Sequence, residues 1–216
     1  TAKYIDQQPL LAINPDPERF DGMLLPFLPA QARAAATAVL RGSFRAREVT
    51  LAEVRLDDGQ RLLAFNDLFV GAASHVSARY RIGWRGQSEP HSSSGVVIST
   101  GAGSTGWLSS IFNMASGVLA LTTGTAAGPA ALARPRLGWE DPRLLFVVRE
   151  PFVSRHSRAG IIAGIVDPKE ELRLESAMPL GKVIFSDGVE ADYLSFNSGA
   201  VAHIRAAPQR ARLVVA

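Results

Sequence analysis

The chain has 216 residues, of which 47% are hydrophobic and 20% charged, and no cysteine. It is long enough to bury a core without staples, and disulfides and thiolate metal sites are excluded. Its 23 Lys and Arg against 20 Asp and Glu leave a net charge of +3. The arginines stand singly (Arg41, Arg45, Arg47, Arg55) and not in a run, which argues against a nucleic-acid binder and leaves anionic small ligands open. There is no apolar run long enough for a transmembrane helix and no secretory signal, so a soluble cytoplasmic protein is expected.

In chain order, Thr1 to Asp6 reads as the end of a helix and Leu10 to Ile13 as a short buried strand closed by Asn14-Pro-Asp-Pro. That pairing is part of a βαβ unit, so the chain reads as beginning partway through a protein. Pro29 to Leu40 is Ala-rich with Pro at its first turn, which predicts a helix ended by Gly42. From there the texture becomes β. Ala46 to Leu56 and Arg61 to Val70 flank the hairpin turn Asp57-Asp-Gly-Gln60. Further strands are expected at 77–84, 95–99, 144–148, 160–166, 171–175, 182–186, 200–205 and 212–215, which implies a two-sheet sandwich. A helix is expected from Ser104 to Met114, capped by Ser104 or Thr105 and closed by Gly117, followed by an irregular loop over 118–136.

Three segments could carry chemistry. Gly101-Ala-Gly-Ser-Thr-Gly106 lies between a buried strand and a helix. Its small residues allow close backbone approach to a ligand, the helix start offers N–H groups, and Ser104, Thr105, Ser109 and Ser110 add hydroxyls. Trp107 adds a face for stacking a ring. With no Lys after the glycines it is not a Walker loop, and a plain strand–turn–helix junction remains the alternative. Asn66-Asp67 closes a strand with an amide that can read a base and a carboxylate that can hold ribose hydroxyls, or is simply a polar strand end. Ser186-Asp187-Gly188 reads as a hairpin turn. Arg149 and Arg155 could present charge to phosphates or lie solvated. The four histidines show no metal-ligand spacing.

Taken in order, these segments resemble the NAD kinase family. The family's motif of a strand followed by Thr-Pro-Ser/Thr-Gly-Ser/Thr-Thr-Ala-Tyr matches 95–107, its Asn-Glu/Asp pair matches Asn66-Asp67, and its late Asp-Gly matches Asp187-Gly188. The chain departs from the family at Ser94, where the family has Asp, and at Gly101, where it has Pro, which suggests a looser loop. Ala102 replaces Ser or Thr, and Gly106-Trp107 replaces Ala-Tyr.

The resemblance implies an α+β, mostly β fold: a two-sheet, sandwich-like NAD-binding domain with the remnant of an N-terminal α/β domain. The expected divisions are 1–43 for the end of the α/β kinase domain, 44–205 for the β domain, and 206–216 for a segment returning toward the first. It implies phosphate transfer from ATP or polyphosphate to the 2′-hydroxyl of NAD, assisted by Mg²⁺ or another divalent cation. The cofactor-binding residues carried over are Asn66, Asp67, Gly103, Ser104, Thr105, Gly106, Trp107, Ser110 and Asp187. The catalytic Asp of the family's Gly-Gly-Asp-Gly loop is expected before Thr1, so the chain alone is expected to bind and not to catalyse. A homodimer or homotetramer is expected, with no nucleic-acid or membrane partner. Two other readings are a related kinase acting on a lipid, nucleoside or sugar, and a non-catalytic nucleotide-binding module.

Overall fold

The computed structural model describes residues 2–124 and 135–215. The N-terminal stretch contributes a 3-10 turn at Ala2–Tyr4, strand β1 (Pro9–Leu10) and helix α1 (Ala32–Leu40). A 3-10 turn at Pro29–Gln31 leads into α1. Gly42 stops the helix at φ 70°, a conformation that favours glycine. Of the strand expected at 10–13, only Pro9–Leu10 pairs as a strand, parallel to Arg212 and Leu213, and Ile13 makes a single bridge to Phe27.

The rest forms two sheets, as expected. The first has the order β3 (Arg61–Ala64), β2 (Arg45–Leu56), β13 (Val201–Val215), β10 (Leu172–Ser176), β5 (Ala78–Trp84), β6 (Gln87–Ser93). The second has the order β12 (Val189–Ser195), β11 (Lys182–Ser186), β4 (Asp67–Ala72), β7 (Val96–Ser99), β8 (Leu144–Val148), β9 (Ala163–Val166). All neighbours within this order are antiparallel. Between the sheets lies the main core, which includes Val54, Leu68, Ile82, Ile98, Phe146, Leu172, Ile184 and Ile204. Each fully buried side chain of this kind stabilises by about 1.5–3 kcal/mol relative to exposure. Helix α2 (Trp107–Thr123) covers the outer face of the second sheet, where Trp107 and Ile111 pack on Phe69, Val97, Val183 and Phe185. Among the described residues no helix is long and apolar enough to cross a membrane.

Four local expectations are corrected. The run Arg61 to Val70 is not one strand. It breaks at Phe65-Asn66, where the chain leaves the first sheet as β3 and enters the second as β4. Conversely, 200–205 and 212–215 belong to one strand, β13, which also crosses the expected division at 205/206. Its register slips between Ala206 and Arg210, around Pro208, because proline cannot donate to the ladder and a bulge accommodates it. Strands β6 and β12 were not expected. Each lies at the edge of its sheet, and neither shows the buried apolar alternation that marks a half-buried strand. Finally, α2 starts at Trp107 with Gly106 as its N-cap and passes through Gly117 to Thr123, where Gly124 in the left-handed region ends it. Residues 118–123 are therefore helical, and 125–134 of the expected loop lie outside the described residues.

One surface cluster makes the fold sensitive to pH. His203 on β13 sits between Glu171 (Nδ1, 3.0 Å) and Asp57 (Nε2, 2.9 Å). The bond to Glu171 raises its pKa, opposed by partial burial and reinforced by Asp57. A raised histidine contributes stability that is fully present below its unfolded pKa and is lost as pH rises through the folded value. Because a third of its side chain is exposed and solvent screens the pair, the contribution is about 0.5 kcal/mol. Thermal melts of wild type and His203→Gln across pH 5.5–8.5 should converge at the alkaline end.

Candidate functional site

The sheet switch at Phe65-Asn66 builds the site. Where the chain crosses between sheets, its backbone needs partners other than strand ladders. Asp187, in the β11–β12 turn with φ 55°, supplies them. Its Oδ1 accepts the Asn66 N–H at 2.7 Å and its Oδ2 accepts the Phe65 N–H at 3.1 Å. The Asp187 N–H in turn donates to the Asp67 carbonyl at 3.0 Å. From the other side, Thr100 at the end of β7 donates its hydroxyl to the Phe65 carbonyl at 2.6 Å and its N–H to the Asn66 carbonyl at 2.9 Å. The Thr100 hydroxyl also accepts the Gly103 N–H at 3.2 Å, which draws the Gly loop onto the switch.

Two glycines permit this closeness. A Cβ on Gly103 would lie 2.1 Å from the Asn66 carbonyl oxygen, and one on Gly101 would lie 1.9 Å from that of Gly138. The absence of Pro at position 101, read from the sequence as loosening the loop, instead allows the 137–138 backbone to pack directly against it.

The side chains of Asn66 and Asp67 are what this scaffold leaves unused. The Asn66 Oδ1 is buried and has no hydrogen-bond partner. A buried polar group without a partner costs about 1–3 kcal/mol, so such an atom calls for a ligand or water. Asp67 is buried, with 8% of its surface exposed. Burial first, and then the charge of Asp187, push its pKa up to about 6. A buried carboxyl with a raised pKa, beside a buried amide oxygen without a partner, marks a candidate binding or catalytic site.

Asp67 pairs with Ser99 and Phe69 with Val97, two residues along the same strands, so strand alternation puts Asp67 and Phe69 on one sheet face. That face carries Trp107, stacked on Phe69 at 5.4 Å, with the Arg149 guanidinium 5.3 Å from its ring centre. A groove of about 980 Å³ continues from there past Ser94, Phe185 and Tyr193, within the size range of small-molecule sites. The candidate site is thus a polar corner at Asn66 and Asp67, on the same sheet face as the groove that Phe69 and Trp107 line; Asn66 and Asp67 do not line that groove themselves.

No protein-family model and no curated protein matches the sequence. Among solved structures, the yeast NADH kinase complexed with NADH is similar with a TM-score of 0.66 at 17% identity, over 99% of this chain and 56% of that one. The chain therefore has an NAD kinase-like fold and spans about half the length of that relative. At this identity the likeness concerns fold alone.

The structure brings Asn66, Asp67, Asp187 and Gly103 together and sets Trp107 beside the groove. Asp187 is committed to the backbone through both oxygens, so it positions the corner. The Ser104 hydroxyl donates to the Gly101 carbonyl at 2.7 Å and is likewise used internally. Thr105, Gly106 and Ser110 are exposed around the start of α2 and do not line the groove. Sequence reasoning missed three contributors. Thr100 lay within the 95–107 motif and was legible as a hydroxyl at a strand end. Arg149 was read for charge, not for its seat on Trp107. Lys3 gave no signal: its buried Nζ donates to the Ser186 hydroxyl at 2.8 Å and pairs with Asp192 at 3.0 Å, fastening the N-terminal turn beside Asp187.

Proposed function

We propose that this chain is the nucleotide-binding part of an NAD kinase-like phosphotransferase, which transfers phosphate from ATP or polyphosphate to the 2′-hydroxyl of NAD. The observation that carries the reading is the partnerless Asn66 Oδ1 beside the buried Asp67 carboxyl, on the sheet face that also carries Phe69 and Trp107. In this reading the Asn66 amide pairs with the edge of a base. The ionised Asp67 accepts hydrogen bonds from paired ribose hydroxyls, and Trp107 offers its face to a ring of the dinucleotide. Thr105, Gly106 and Ser110 contact the ligand around the helix start. Phosphoryl transfer asks a protein mainly for alignment and charge neutralisation, and holding the acceptor ribose still supplies the first of these.

Mg²⁺ or another divalent cation stays part of this reading as the assisting cofactor. Among the described residues no group of three or more His, Asp or Glu is placed to hold a metal ion, and Asp187 is already engaged. The outer edge of β12 suits the proposed homodimer or homotetramer in the cytoplasm.

The test is a coupled assay on the whole protein with ATP, Mg²⁺ and NAD, reading NADP formation. NADP is the expected product. Phosphorylation of a different acceptor with no NADP would overturn the reading.

A further inference from the structure

On the side of the sandwich where β6 forms the sheet edge, the segment after β8 is strapped along that strand. The Phe152 N–H donates to the Ser92 carbonyl at 2.8 Å and the Arg158 N–H to the Pro90 carbonyl at 2.9 Å. Between these anchors the chain makes a tight turn around the buried Ser157, whose hydroxyl donates to the Phe152 carbonyl at 2.6 Å and contacts the Ser154 hydroxyl at 2.8 Å. The turn is thus held from within and turns Arg155, His156 and Arg158 to solvent. Together with Arg81 on β5 they line a groove of about 880 Å³.

The charge of this groove is not balanced. Several arginines elsewhere are neutralised (Arg55, Arg61 and Arg205 on Glu53, Arg85 on Asp167 and Glu170, and Arg143 on Asp141), whereas Arg33, Arg41 and Arg79 stand singly without an ion pair among the described residues. Arg81, Arg155 and Arg158 form no ion pair among the described residues. The groove's one carboxylate, Glu89, is bonded through one oxygen. Its Oε1 accepts the N–H groups of Gly160 (2.7 Å) and Ile161 (2.6 Å) and meets the His91 ring at 2.7 Å. Glu89 therefore holds the groove wall in place and forms no ion pair with the three guanidinium groups, so three positive charges face one carboxylate.

We propose that this groove, walled by Arg81, Arg155, His156 and Arg158, binds a small ligand carrying two or more phosphate groups. Guanidinium groups match phosphate oxygens in paired, fork-like hydrogen bonds, and several of them converging on one groove favour a multiply charged anion. The loop is already shaped by its own bonds, so binding costs little ordering. A groove of this volume suits a small molecule better than a polymer. The proposal stands independently of the nucleotide reading, because its probe is inorganic.

The test is isothermal titration of the metal-free protein with pyrophosphate at low salt. One saturable site is expected, weakening as salt is raised. The double variant Arg155→Ala/Arg158→Ala should bind about a hundredfold more weakly, from about tenfold for each lost charge-assisted contact. Arg41→Ala, at the far end of α1, should bind as wild type. These side chains are exposed, and an unchanged melting curve would confirm that each variant folds. Pyrophosphate and ADP then separate the two sources. Equal affinity for both indicates a free oligophosphate, and tighter ADP binding, lost in the same double variant, indicates the phosphate end of a nucleotide. Either result supports the site. Absence of saturable binding, or equal loss in Arg41→Ala, would overturn it. So would a single-stranded oligonucleotide binding these arginines far more tightly than pyrophosphate does.

Discussion

Replacing Asp67 with Asn is expected to stabilise the fold at neutral pH while weakening nucleotide binding. Burial and the neighbouring Asp187 lift the Asp67 pKa to about 6, well above that of a solvated carboxyl. The sign follows from linkage. A carboxyl with a raised folded pKa contributes its full stability below the unfolded value, near pH 4, and loses it as pH rises through about 6. At pH 7.5 the wild type carries a buried charge that the fold does not neutralise. An isosteric amide removes that cost, which the shift puts at about 1–3 kcal/mol. Urea titrations should show Asp67→Asn as the more stable protein at pH 7.5, with the gap closing toward pH 4. Binding should move the other way. The amide keeps only one acceptor for a pair of ribose hydroxyls, so NAD affinity is expected to fall by about tenfold or more. The wild-type affinity should itself decline below about pH 6, as Asp67 takes up its proton. A variant that loses both stability and binding would show that Asp67 is a structural carboxylate and not a functional one.

The second large effect concerns Gly103. Here a methyl group has nowhere to go, since its nearest neighbour would be the Asn66 carbonyl at 2.1 Å. That carbonyl is itself tied to Thr100, so relieving the clash moves the corner that carries Asn66 and Asp67. Gly103→Ala should destabilise by about 2–3 kcal/mol or more, the cost of overpacking a tightly bonded backbone. Whatever folds should bind NAD poorly, because the displaced backbone carries the binding side chains. Gly117→Ala is the matched control. It lies within α2 with open space around its Cα. There alanine should stabilise by about 0.5–1 kcal/mol and leave binding intact. Denaturant melts and NAD titrations of the two variants separate close approach from mere helix propensity. Equal behaviour of the two would refute the tight packing of the Gly loop on the switch.

These two residues also show what was legible in the sequence. Asn66-Asp67 stood out because two polar turn-formers interrupt an apolar run. That interruption is physically the sheet switch, although read locally it looked like the end of a continuous strand. The Gly loop was legible because small residues between a buried strand and a helix have few other uses. The helix start was misplaced by three residues, since Ser104 resembles an N-cap while its hydroxyl in fact closes the turn onto Gly101. Asp187 could be found but its role could not. Whether a turn carboxylate faces a ligand or the backbone depends on which strand switch lies beside it, and here that backbone lies more than a hundred positions earlier in the chain. Lys3 is the extreme case, meeting Ser186 across 183 positions with no periodicity or motif to announce it. Edge strands β6 and β12 were missed because they lack the buried alternation on which a period-2 reading depends.

The central claim is that Asn66 and Asp67 form the polar anchor of a dinucleotide site. Calorimetric titration of the protein with NAD at pH 7.5, alongside Asn66→Ala and Asp67→Ala, tests it most directly. The account predicts one saturable site in the wild type and a loss of about tenfold or more in each variant, with both variants still folded. No NAD binding by the wild type, or undiminished binding by folded variants, would contradict it.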